Sequence, residues 1–175
     1  FRSDFEENIR VTKDSADYAR LFDIPLEAEL GAISGRADAV SLEEAFHTDA
    51  HQVREFVERS GCSSLAVSVG NVHGLNDKAE LDFALLEQIH QESPVPLVIH
   101  GASGLEDEEI NRMSYHGVSK INIASDLRKE YIKTIGEIYK NNPHSYAITE
   151  TAIAATESVK KITYHKLMRM NGLGS

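Results

Sequence analysis

The chain has 175 residues, 41% of them hydrophobic, with 18 Lys+Arg against 28 Asp+Glu and a formal charge of −10. That length and composition describe one globular domain, residues 1–175, with a sizeable core. The charge argues against binding to nucleic acid or to an anionic membrane surface, and a single cysteine, Cys62, excludes an internal disulfide framework and any multi-cysteine zinc site. The longest apolar runs, such as Ser64–Val69 and Pro96–Ile99, are too short to cross a bilayer. No basic-then-apolar leader opens the chain, so a reducing cytoplasm is the expected home.

In chain order, Asp4–Leu21 reads as a helix, followed by a strand at Ile24–Leu30 (IPLEAEL) in which Glu27 and Glu29 share a face. Gly31–Thr48 is longer than a typical βα connection and rich in small residues; it reads as a mobile lid or as a solvated insertion. Ala50–Ser60 puts Val53, Phe56 and Val57 on one helical face. Cys62 precedes the second strand, Ser64–Val69 (SLAVSV), and is expected to pack there. The loop Gly70–Asp77 (GNVHGLND) has glycines on both sides of His73. A helix at Leu81–Gln91 leads to the third strand, Pro96–His100 (PLVIH), and a helix at Glu106–His116 leads to the fourth, Ser119–Ile123 (SKINI). Helices at Asp126–Tyr139 and roughly Ser145–Met170 follow, with Gly172 and Gly174 after the last.

Alternating strands and helices imply an α/β fold with a parallel sheet. Glu29, His73, His100 and Asn122 all fall at or just after carboxyl-terminal strand ends, where a doubly wound sheet and a (β/α)8 TIM barrel alike place their active sites. Four strand ends converging on one site suit the barrel better. A full barrel takes about 250 residues, so the chain is expected to hold roughly its second half, strands 5–8, as one part of a larger barrel or assembly.

HGASG (100–104) follows directly on an apolar strand, and Asn122–Ser125 leads into a helix. Loops after barrel strands 7 and 8 often build a phosphate site, and glycine with a helix N-terminus suits an anion. These residues either cradle a phosphate or serve only as turns, with Asp126 as helix cap. His73 and His100, on adjacent strand ends, either share a divalent metal, zinc first, or are hydrogen-bonded structural residues. Glu27 and Glu29 share a face, and either Glu29 supplies a carboxylate to such a metal or one of the two simply pairs with a basic partner. His47, His51, His90, His116, His144 and His165 fall on helices or loop edges without convergent partners.

LEAELG (26–31), LAVSVGNVHG (65–74), PLVIHGASG (96–104) and GVSKINIASDL (117–127), in this order and spacing, resemble the class II, metal-dependent ketose-bisphosphate aldolases of the fructose/tagatose type. FEENIRV (5–11) and EFVERSG (55–61) fit the same pattern. The resemblance implies a homo-oligomeric barrel, dimer or tetramer, that makes or cleaves a bond between dihydroxyacetone phosphate and an aldehyde, with zinc stabilising the enediolate. By position, His73 and His100 look like two of three zinc-binding histidines. Gly74, Gly101, Ala102 and Ser103, with Asn122, Ile123, Ala124 and Ser125, look like contacts to the phosphorylated substrate. The family's first zinc histidine and its proton-donating aspartate belong to the N-terminal half; within this chain Glu29 is the candidate for a catalytic carboxylate. Arg36 and Ala37 stand where some members carry acidic lid residues. The other reading is a catalytically silent barrel subunit that binds a phosphorylated sugar.

Overall fold

Four apolar strands pair in parallel because each is followed by a helix that returns the chain to the same edge. In chain order the elements are α1 (Phe5–Arg20), β1 (Glu27–Leu30), β2 (Ser34–Ala37), β3 (Val40–Leu42), α2 (Ala50–Ser60), β4 (Ser64–Val67), β5 (Val72–His73), α3 (Phe83–Glu92), β6 (Leu97–Ile99), α4 (Asp107–Ser114), β7 (Val118–Ile121), α5 (Ser125–Asn141) and α6 (Ile148–Met170). The computed structural model describes residues 4–37, 40–42, 46–74, 79–144 and 146–172. The main sheet has the order β1-β4-β6-β7, all parallel. The order runs without reversal, unlike that of a doubly wound sheet.

Pairing divides the sheet into two faces. Glu29 lies opposite Ala66, Ala66 opposite Val98, and Val98 opposite Lys120, so these four form one row, flanked on the same face by Glu27 and His100. Ala28, Leu30, Leu65, Val67, Leu97, Ile99 and Val118 point the other way and join the apolar core with Val53, Phe56 and Val57 of α2, Leu86 and Ile89 of α3, and Ile110 and Met113 of α4. Cys62 packs in this core, where burial pushes its thiol up.

Helix ends follow their capping residues. Asp4 accepts from the Glu7 N–H at 2.8 Å, and Asp82 from the Leu85 N–H at 2.9 Å, so α3 starts at Phe83 rather than at the expected Leu81. Gly61, at φ 69°, ends α2. The first strand is shorter than expected: Asp23 (φ 57°) and Ile24 still wrap off α1, the Ile24 N–H bonding to the Ala19 carbonyl.

The expected loop at Gly31–Thr48 is a correction. β2 and β3 pair antiparallel, β2 pairs in parallel with β5, and an Ala32–Phe46 bridge closes the base. A second, three-stranded sheet satisfies backbone groups that an open loop would leave to water. Residues 38–39 and 43–45 of this stretch, and 75–77 of the expected loop Gly70–Asp77, lie outside the described residues. Among the described residues, no helix is long and apolar enough to cross a membrane.

Candidate active site at the carboxyl ends of the parallel strands

His100 follows β6 directly, and both its ring nitrogens face carboxylates. Nε2 lies 2.9 Å from Glu27 Oε1, and Nδ1 lies 3.7 Å from Glu29 Oε2. The second Glu27 oxygen accepts from Lys120 Nζ at 2.8 Å. Three strands thus contribute to one cluster: Glu27 and Glu29 from β1, His100 after β6, Lys120 from β7. Partial burial pushes the Glu27 carboxyl up, but the hydrogen bonds from Lys120 and His100 outweigh it, and it titrates below its usual range. The expectation that one of the two glutamates pairs with a base is met by Glu27.

His73 reaches the same end of the sheet by another route. β5 is held against β2, with His73 opposite Gly35. A Cβ at Gly101 would sit 2.2 Å from the Val72 carbonyl oxygen and 3.3 Å from His73 N. The chains carrying the two histidines therefore touch at Gly101, where φ is +65° and a side chain has no room. Asn71 locks this junction. Buried, it accepts from the Val69 N–H at 2.8 Å and donates to the His100 carbonyl at 2.9 Å and the Val67 carbonyl at 3.3 Å. Sequence reasoning passed over Asn71, Glu27 as a histidine partner, and Lys120. For Asn71 the signal was a polar amide set between glycine and an apolar residue beside a histidine.

The HGASG loop and the start of α5 meet directly. The Ser103 hydroxyl oxygen accepts from the N–H groups of Ala124, Ser125 and Asp126 at 3.2, 3.0 and 3.4 Å. Ala124 gives α5 no side-chain cap, so Ser103 does this from a neighbouring loop. Asp126 does not cap its own helix; its carboxylate accepts from the Gly104 N–H at 3.0 Å. The Ala102 N–H is taken by the Asn122 carbonyl at 3.1 Å. Asn122 is exposed just past β7, Ile123 packs partly on the core, and Gly74 follows β5 with φ 98°. Lys166 of α6 reaches under this loop to the Leu105 carbonyl at 3.0 Å and stands 3.7 Å from Asp126.

Among the described residues, no group of three His, Cys, Asp or Glu side chains is gathered to hold a metal ion. A pair does fit one. The 3.7 Å between His100 Nδ1 and Glu29 Oε2 exceeds a hydrogen bond. It is near the separation of about 3.4 Å that two donors take when each lies about 2.0–2.1 Å from a tetrahedral zinc. Of the other histidines, His116 pairs with Glu87 at 2.7 Å and His165 with Asp107 at 2.8 Å, each away from this cluster.

Strand–helix units in unreversed order, with charged and imidazole side chains at the carboxyl ends of the strands, follow the layout of barrel folds. The profile of the family described as fructose-bisphosphate aldolase class-II matches residues 2–175, and the chain belongs to that family. Among solved structures, it is similar to the YdjI aldolase of Escherichia coli, at 35% identity and TM-score 0.79 over 96% of this chain and 57% of that one. It is also similar to a putative fructose-1,6-bisphosphate aldolase of Coccidioides immitis, at 30% identity and TM-score 0.80 over 96% and 59%. Fructose-bisphosphate aldolase of Campylobacter jejuni shares the fold at 22% identity, TM-score 0.80, over 98% and 58%. The chain thus spans somewhat under three-fifths of the length of these structures.

Proposed function

We propose that residues 1–175 form the carboxyl-terminal half of a (β/α)8 barrel, strands 5–8, that makes or cleaves the aldol bond between dihydroxyacetone phosphate and an aldehyde. The observation that carries this is the adjacency of two half-sites: the donor pair of His100, just after β6, and Glu29, in β1, and the Ser103 oxygen at the focus of the α5 N–H groups. His100 and His73 would hold zinc, with Glu29 beside them. When bound, zinc supplies Lewis-acid polarisation of the substrate ketone.

The chain's own residues then divide the work. Ser103, already accepting three N–H groups, has its hydroxyl proton left to give to a phosphate oxygen, and the positive end of α5 favours the charge. By the resemblance, Gly74, Gly101, Ala102, Ile123, Ala124 and Ser125 are further contacts to the phosphorylated substrate. Asn122, exposed at the strand end, offers an amide that both donates and accepts to substrate oxygens. Anchoring the phosphate orients the reacting carbon. A proton donor on the aldehyde side is expected from the preceding half of the barrel. The same reading takes the protein as cytoplasmic and as a homo-oligomer, a dimer or tetramer; exposed Ile132 and Tyr139 on α5 and Tyr164 and Leu167 on α6 support the assembly.

The test is made on the protein that carries this chain together with its preceding half. Cleavage of a ketose bisphosphate to dihydroxyacetone phosphate should stop on chelation and return with zinc, and His100→Ala should lose both bound zinc and turnover with the circular dichroism unchanged. Turnover that survives chelation and His100→Ala overturns the metal-dependent reading. If the preceding half lacks a strand ending in an Asp-His pair, the silent sugar-phosphate-binding subunit is favoured instead.

A further inference from the structure

The neutral imidazole of His100 has two tautomers, and only one leaves Nδ1 with a lone pair. Which one forms depends on what the other nitrogen meets. Nε2 meets Glu27 Oε1 at 2.9 Å, an acceptor with no proton to give. Glu27 is itself held: its second oxygen takes Lys120 Nζ at 2.8 Å, and its backbone lies in β1, paired with β4. The side chain of His100 is 19% exposed and that of Glu27 28%, so water competes poorly for this bond. The His100 main chain is fixed separately, by the Asn71 amide on its carbonyl.

We propose that Glu27, braced by Lys120, is a positioning residue that keeps the His100 proton on Nε2 and presents the Nδ1 lone pair on the side of Glu29. Glu27 and Glu29 thereby differ in task although they share a face of β1. Glu27 orients the imidazole from behind, and Glu29 shares the open side with Nδ1. Carboxylates that fix a ligating histidine in this way typically change metal affinity by about 10–100-fold when removed. The metal part of this inference rests on the reading of His100 as a zinc ligand; the tautomer part does not.

The two parts are read separately, the tautomer on the 175-residue chain labelled with 15N-histidine and the metal on the protein that carries this chain together with its preceding half. Two-bond 1H–15N correlation at about pH 8, above the ordinary histidine range, distinguishes the tautomers, and His100→Gln assigns the His100 peaks by their loss. The wild-type chain should show His100 with its proton on Nε2. Glu27→Ala should turn this into a mixture of both tautomers, and Lys120→Met, which leaves the Glu27 acceptor in place, should shift it less. A wild-type His100 protonated on Nδ1, or already mixed, overturns the proposal without recourse to any variant. So does a Glu27→Ala spectrum identical to wild type. On that longer protein, zinc competition against a chromophoric chelator should then weaken about 10–100-fold in Glu27→Ala. If that longer protein binds no zinc, wild type included, with the tautomers as described, the metal reading of His100 is overturned and the positioning role of Glu27 stands.

Discussion

Removing the Ser103 hydroxyl leaves the N–H groups of Ala124, Ser125 and Asp126 without the oxygen they share. Ser103→Ala should therefore cost about 1 kcal/mol of stability, the usual value of a lost N-cap, seen as a lower urea midpoint of the chain. If the same oxygen also serves substrate, the variant should weaken dihydroxyacetone phosphate far more than dihydroxyacetone, measured on the protein with its preceding half. Equal losses for the two ligands would show that this serine serves only the helix start. At this scale the sequence was informative about which residues stand out, because glycine, serine and histidine at strand ends are chemically conspicuous. It was silent on which atom faces which. Ser103 takes from a distance the capping part expected of Asp126, and Asp126 instead ties down Gly104.

Among its described residues, α6 buries only Ala155, so polar contacts carry much of its docking on α4 and α5. Asp107, in the first turn of α4, takes His165 at 2.8 Å and Arg169 at 2.9 Å, while Lys166 faces Asp126 and the Leu105 carbonyl. The His165 hydrogen bond, with the charges of Arg169 and Lys166, holds the Asp107 carboxyl below its ordinary value. A depressed folded-state value means that this pairing stabilises the docked helix above the unfolded aspartate value of about 3.9 and loses that contribution as pH falls through the folded value. Amide exchange along α6 should accordingly speed up relative to that of α2 as pH falls below about 3.9. Asp107→Asn should flatten the difference. An α6 whose relative protection follows pH identically in wild type and Asp107→Asn would show that the helix docks independently of this carboxylate.

Across the whole molecule, β4 and β6 have a strand on each side, whereas β1 and β7 have one neighbour each within the four-stranded sheet. Opening of a doubly paired strand requires more of the fold to come apart. In the 175-residue chain the amides of Leu65–Val67 and Leu97–Ile99 should therefore exchange slowest, and those of Glu27–Leu30 and Val118–Ile121 faster, by hydrogen exchange read by NMR. Uniform protection across the four strands would mean that something besides the sheet's own pairing protects its outer strands. The division of the sheet into an apolar helix-facing side and a row of Glu29, Ala66, Val98 and Lys120 is likewise a property of the assembled register rather than of any one strand.

The sequence by itself determined the strand–helix alternation, most helix bodies and the placement of the conspicuous residues at strand ends, since hydrophobic period, capping aspartates and glycine stops are local signals. α2 falls on Ala50–Ser60 as its apolar spacing and Gly61 require. Four ordered motifs also pointed to the family that the profile then showed. Tertiary structure alone decided the rest. The stretch after Gly31 pairs as a hairpin with β5 because partners for its backbone come from a segment 38 residues away in the chain. Glu27, Lys120 and His100 meet on one face although up to 93 positions separate them. That spacing carries no local period, and only the parallel register, with its shift beside Leu97 and Val98, brings the three side chains to one face.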